Sequence, residues 1–262
     1  LFSMEEAGQY AEAEGAARTA LAAESEDLWA LHALTHVFEM QGRKQDGITL
    51  LSAATPFLKN YNLFRGHLWW HLAIFKFSQQ AYDEVLELLD REIYPGNSSF
   101  YLDIQNAASL LLRLELQGVS VGTERWERIA QGALPAATQN TIWFTTLHHV
   151  LALVRAGRHS AAQETLAYAS HADAPQAHLA GHLSEAVMAF AAGQNRNALD
   201  ALLALRQEFG DLGASHVQQD IYHQIMIAAA LQLNEWPRVQ QLLKERRAAR
   251  IQNATSLSQF AE

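Results

Sequence analysis

Residues 29–48 read WALHALTHVFEMQGRKQDGI, and this stretch decides the fold. Leu31, Leu34 and Phe38 recur at helical spacing, Gly42 interrupts the pattern, and a second helical pattern starts at once. A helix, a glycine step and another helix form a hairpin that cannot bury its apolar faces alone. The same stretch places His32, His36 and Glu39 four and three residues apart, on one helical stripe.

The step recurs along the chain. It starts at Gly8 (GQYAEAE), Gly42 (GRKQDGI), Gln80 (QAYDEVL), Gly118 (GVSVGTE), Gly157 (GRHSAAQ), Gly193 (GQNRNAL) and Leu233 (LNEWPRV), at separations of 34, 38, 38, 39, 36 and 40 residues. That is the period of stacked helical pairs, which share a core between neighbours. Tyr10 and Ala13, like Tyr82 and Val85, lie two and five residues after their step, where an aromatic and a small or aliphatic residue fit between paired helices. The expected fold is therefore all-α: a tetratricopeptide-like α-solenoid of antiparallel pairs in a right-handed superhelix. One array of about six and a half pairs fills residues 1–250, and residues 251–262 are a C-terminal tail that frays. First helices are expected near 26–41, 64–79, 101–117, 140–156, 176–192 and 214–232. Second helices are expected near 9–22, 44–54, 81–92, 122–132, 159–171, 195–208 and 236–250. Ser25 is the expected N-cap of the first of these, and Thr55-Pro56 the expected start of a separate short segment.

With the turn residue as position 15 of a tetratricopeptide repeat, positions 4, 7, 8 and 11 pack inward and positions 2, 5, 9 and 12 face the concave groove. Gly42 then puts Leu31, Leu34, Thr35 and Phe38 inside, and Trp29, His32, His36 and Glu39 in the groove. Gln80 adds His67 and Trp70, with His71 beside them. Gly157 adds Leu147 and His148, and Leu233 adds Asp220, His223 and Gln224. The middle repeats offer plainer groove residues, Gln105, Ala108, Leu112 and Glu115 among them.

Composition narrows the function. The 262 residues are 49% hydrophobic and 18% charged, which describes a folded globular chain. A formal net charge of −9 opposes nucleic-acid binding, and the basic run KERRAAR (244–250) reads as a solvated helix face. Without cysteine there is no disulfide, thiolate nucleophile or thiolate-ligated metal, which suits a cytoplasmic protein. No apolar run is long enough to span a bilayer, and no signal pattern opens the chain. GVSVGTERW lacks the lysine and preceding strand of a phosphate loop, no HExxH helix occurs, and Ser215 follows no strand.

The segments WALHALTHVFEMQGRKQDGI, HLWWHLAIF with YDEVLELLDREI, LLLRLELQGVSVGTERW and GASHVQQDIYHQIMIAAAL resemble the tetratricopeptide repeat protein 38 family, from about Met4 to about Arg250. The resemblance implies a shared site that includes His32, His36, Glu39, His67, Trp70, His71, Asp103, His148, Ser215, Gln218 and Asp220. Gln219 stands where the family usually has a basic residue. It implies no reaction. Family members extend further at the N-terminus, so this chain, which begins at Leu1, is expected to be the C-terminal portion of a longer protein.

Three chemistries use these residues. The pairs His32/His36 and His67/His71 have the i, i+4 spacing of two ligands on one ion, so a divalent metal is the cofactor they would accommodate, although none is dictated. As an acid–base site, His36 and Glu39 would be base and partner, Asp220 an orienting group, and His67 and His71 charge stabilisers or ligands. As a binding pocket, Trp29, His32, His36, Glu39, His67, Trp70, His71, Asp103, His148, Asp220 and Gln224 would hold a small molecule or a partner's peptide. Against all three stands a purely structural network of histidines and carboxylates inside an interaction scaffold.

Overall fold

The structure, a computed structural model, describes residues 2–58 and 64–255. Among the described residues the chain is helical and contains no strand. No helix there is long and apolar enough to cross a membrane. The chain divides into two compact units, Leu1–Leu88 with Leu243–Glu262, and Leu89–Leu242.

The first unit contains α1 (Phe2–Glu6), α2 (Tyr10–Ala23), α3 (Leu28–Met40), α4 (Lys44–Leu58), α5 (Arg65–Ser78) and α6 (Tyr82–Leu88). Each helix packs on the next, and α3 also touches α1 and α5. Of the thirteen residues of α3, Trp29 alone is not buried. A helix buried all round lies in the middle of a core. The contact between α4 and α5 is close: a Cβ on Gly47 would lie 2.2 Å from the Phe75 ring, so only glycine fits there.

The second unit opens with a π-helical turn, Leu89–Ile93, and continues through α7 (Tyr101–Leu116), α8 (Thr123–Ala133), α9 (Phe144–Arg155), α10 (His159–His171), α11 (Pro175–Ala191), α12 (Asn195–Leu205) and α13 (His216–Gln232). The last helix, α14, spans Trp236–Thr255. Here α7 packs on α9, α9 on α11, and α13 on α7, while α8, α10 and α12 each pack on both chain neighbours.

The turns are one motif repeated. Gly8, Gly42, Gln80, Gly118, Gly157, Gly193 and Asn234 all have φ between 58° and 79°. At each, the turn residue's N–H bonds the carbonyl three residues back, and the next N–H bonds the carbonyl five before it: Gly42 to Glu39 and Arg43 to Phe38, through to Asn234 to Leu231 and Glu235 to Ala230. This is the Schellman closure of a helix C-terminus, which requires a left-handed residue. Gln80 and Asn234 adopt it despite carrying a Cβ. The final repeat therefore turns at Asn234, not Leu233, and its register moves by one: Gln224 takes position 5, and Asp220 and His223 leave positions 2 and 5.

Three local expectations are corrected. The N-cap of α3 is Asp27, not Ser25, because the Asp27 Oδ1 accepts from the amides of Trp29 (2.9 Å) and Ala30 (3.0 Å). Pro56 starts no new segment but lies inside α4. Its missing N–H would leave the Ser52 carbonyl without a helical donor, and the Thr55 hydroxyl donates to that carbonyl at 2.9 Å instead. The helix expected from 140 begins at Phe144, since Asn140 forms an Asx turn with Ile142. Of the expected tail 251–262, residues through Thr255 are helical, and 256–262 lie outside the described residues.

Candidate metal centre

Helices α1, α3 and α5 build a cluster inside the first unit. The i, i+4 pair His32/His36 of α3 faces the pair His67/His71 of α5. One ligating nitrogen from each of the four rings lies within 4.8 Å of all the others. Nε2 of His36 is 3.0 Å from Nε2 of His32. Ring centroids are 4.6 Å apart for His36 and His71, and 4.7 Å for His67 and His71. Four nitrogens around a tetrahedral ion such as zinc would stand about 3.3 Å apart, so modest side-chain movement would close the set.

All four rings are buried. His36 and His71 have no exposed surface, and both nitrogens of His71 lack a hydrogen-bond partner. A buried polar group left so costs about 1–3 kcal/mol. Burial drives His32 and His71 well below the ordinary histidine pKa, and the neighbouring histidines push the same way. They are neutral, with lone pairs available, as a metal ligand must be.

The carboxylates beside this cluster are not the expected one. Nδ1 of His36 stands 3.6 Å from Glu5 Oε2 and 3.9 Å from Glu6 Oε1. Both belong to α1, which falls before the first expected helix. The only sequence signal for them is a short acidic pair ahead of the Gly8 turn. Glu5 has no exposed surface, and neither of its carboxyl oxygens has a hydrogen-bond partner. Burial, with Glu6 alongside, raises its pKa to about 9. Glu39, the expected partner of His36, is buried on α3 but joins no group of three or more converging ligand atoms among the described residues.

The aromatic residues also differ from a pocket lining. Trp70 is buried and stacks on His67, with planes 10° apart and centroids at 5.3 Å. Trp29 is 65% exposed and lies on Phe64, which in turn packs edge-on against His32. Apart from Trp29, the positions of α3 and α5 expected to face an open groove are enclosed: α1 packs on α3, and Phe64 and Trp70 pack against the imidazoles.

The remaining predicted residues belong to the second unit and have local partners there. Asp103 accepts from Ser98 Oγ at 2.7 Å. His148 Nδ1 bonds the Phe144 carbonyl at 3.1 Å, and burial lowers its pKa to about 3. Gln224 donates to Asp220 at 2.7 Å. Ser215 and Gln218 form the capping box of α13. Gln218 also reaches Gln105, which donates to Thr145 at 2.6 Å. Arg113, 2% exposed and missed by the sequence reading, donates to the carbonyls of Ser109 and Val217, tying α7 to α13.

The second unit has a cleft of about 310 Å³, and its walls follow the repeat register. Leu112, Glu115, Leu151, Phe190, Ala228 and Leu231 line it. With turns at Gly118, Gly157, Gly193 and Asn234, every one of these is a position 9 or 12. Glu115 sits at its edge, holding Arg155 at 2.5 Å and the Trp126 indole N–H at 2.9 Å.

No protein-family model and no solved structure matches the chain.

Proposed function

We propose that this chain is a metal-binding helical-repeat protein of the tetratricopeptide repeat protein 38 kind. Its first unit holds a divalent transition-metal ion on His32, His36, His67 and His71. The convergence of four buried imidazoles, with both nitrogens of His71 unpartnered, carries this reading. Imidazole donors suit zinc, copper, iron or nickel, and a four-histidine zinc site is coordinatively closed. A closed, enclosed site favours holding a metal over binding a substrate, which would need an open coordination position and a path to it.

A tetratricopeptide-like solenoid is supported by seven identical turn closures and by a cleft lined from repeat positions 9, 12 and 13. That cleft supports a second function, a groove for a small molecule or a partner's peptide in the second unit. Its polar lining is the Glu115–Arg155 pair and Gln232.

Elemental mass spectrometry on tag-free protein, purified without chelator and then supplied with zinc, tests the first reading. Bound metal is expected in the parent protein and is lost in His71→Ala. A folded protein that retains no metal after zinc addition and dialysis would leave the histidines as a polar core.

A further inference from the structure

The imidazole of His36 has two faces to account for. Nε2 points at the other histidines, 3.0 Å from His32 Nε2, while Nδ1 points at Glu5 and Glu6. Two groups of converging ligand atoms are present among the described residues, His32/His36/His67/His71 and Glu5/Glu6/His36. His36 belongs to both.

The second group has the spacing of ligands rather than of hydrogen bonds. Nδ1 to the two carboxylates measures 3.6 and 3.9 Å, beyond hydrogen-bond length. Two atoms each about 2.0–2.2 Å from one tetrahedral ion stand roughly 3.3–3.6 Å apart. Glu5 has no exposed surface, neither of its oxygens meets a histidine donor at hydrogen-bond distance, and its polar neighbour is a second carboxyl, Glu6. A carboxylate that merely oriented His36 would accept the Nδ1 proton at close range. This one stands off by the width of an ion.

We propose that His36 bridges two divalent metal ions, one held with His32, His67 and His71, the other with Glu5 and Glu6. This rests on the metal-binding reading above. Neutral imidazole has one lone-pair nitrogen and one N–H. To bind at both nitrogens the ring loses that proton to solvent as the second metal–nitrogen bond forms, and becomes imidazolate; Glu5, which holds a proton before the ion enters, releases it to solvent as its metal–oxygen bond forms. No electron moves, and each ion keeps its charge. The carboxylates and the imidazolate offset much of the charge brought by the two cations.

The test is a metal titration of the whole chain with zinc and, separately, with copper(II), reading stoichiometry and the copper spin signal. The parent protein is expected to bind two equivalents. In the copper form the bridge couples the two spins, so the paramagnetic signal falls well below that of two isolated ions. Glu5→Gln, with Glu6→Gln as a second variant should the first not fold, is expected to bind one equivalent with the full signal of one copper. Binding of one equivalent by both parent and Glu5→Gln, lost in His71→Ala, overturns the bridge and leaves the four-histidine site standing. Two equivalents with full, uncoupled spin also overturn it. No binding at all removes the metal reading itself.

Discussion

The two units bury polar side chains in opposite ways. In the second unit Gln218 donates to Gln105 and Gln105 to Thr145, Arg113 bonds two backbone carbonyls, and His148 bonds a third. The protein supplies the partners, and the network holds helices in register. In the first unit four imidazoles and a carboxyl group converge, leaving both nitrogens of His71 and both oxygens of Glu5 without hydrogen bonds. His149 sharpens the contrast. It is buried in the second unit with both nitrogens unpartnered, yet no group of ligand atoms gathers around it among the described residues. One orphaned histidine is a local cost, whereas four pointing at one another are the arrangement that the proposed metal site requires.

Arg113→Met should have the largest effect on stability. It keeps most of the volume but strips two donors from a buried setting, at a cost of about 2–3 kcal/mol. Chemical denaturation would show this, and metal content should stay at the parent level. Parallel loss of metal would break the separation drawn between the units.

Next in size is metal itself. Zinc at about 100 times its dissociation constant should stabilise the parent protein by about 2.7 kcal/mol. His71→Ala should abolish that shift while leaving a folded, helical chain. An equal shift in both proteins would place the binding elsewhere.

The two units should also respond differently to pH once metal is removed by chelation. Burial lowers His148 to about 3 and His149 to about 4, below an unfolded value near 6.5. The unfolded chain then binds more protons, so their contribution is constant above about pH 6.5 and turns destabilising as pH falls below it. His149→Phe should lessen that acid loss. His32 and His71 act in the same direction. Glu5 acts in the other: raised from 4.5 to about 9, it holds a proton that the unfolded chain releases, so stability is lost as pH rises between those values. Glu5→Gln should flatten the alkaline limb alone, measured as denaturation midpoints from pH 4 to 9.

The smallest effect belongs to Trp29→Ala. The ring is mostly exposed and rests on Phe64. Less than about 1 kcal/mol should be lost, with zinc binding unchanged. A large loss of metal affinity would make Trp29 part of the enclosure.

Much of this was legible along the chain because it is local. Helical periodicity and the recurring turn follow from the preferences of a few consecutive residues, and six of the seven left-handed turn residues lie where the spacing puts them. The last was displaced by one because Leu233 and Asn234 both fit the pattern, and only backbone dihedrals tell them apart. The pairing of His32 with His36, and of His67 with His71, follows from helical geometry alone. That the two pairs meet does not. It depends on α3 packing against α5, and the choice of Glu5 over Glu39 depends on α1 packing against α3. Glu39 shares a helical stripe with His36, and the stripe was its whole claim.

The sequence by itself determined an all-helical chain, its turn chemistry and the histidine stripes, since each is written within about ten consecutive residues. Tertiary structure decided that the stripes are enclosed rather than laid open in a groove. It also gave His36 two carboxylates from a helix thirty residues upstream, and it kept Asp103, His148 and Asp220 with partners of their own. The physical reason is that helical periodicity fixes which residues share a face, while which face meets which is fixed by burying apolar area between helices distant in sequence.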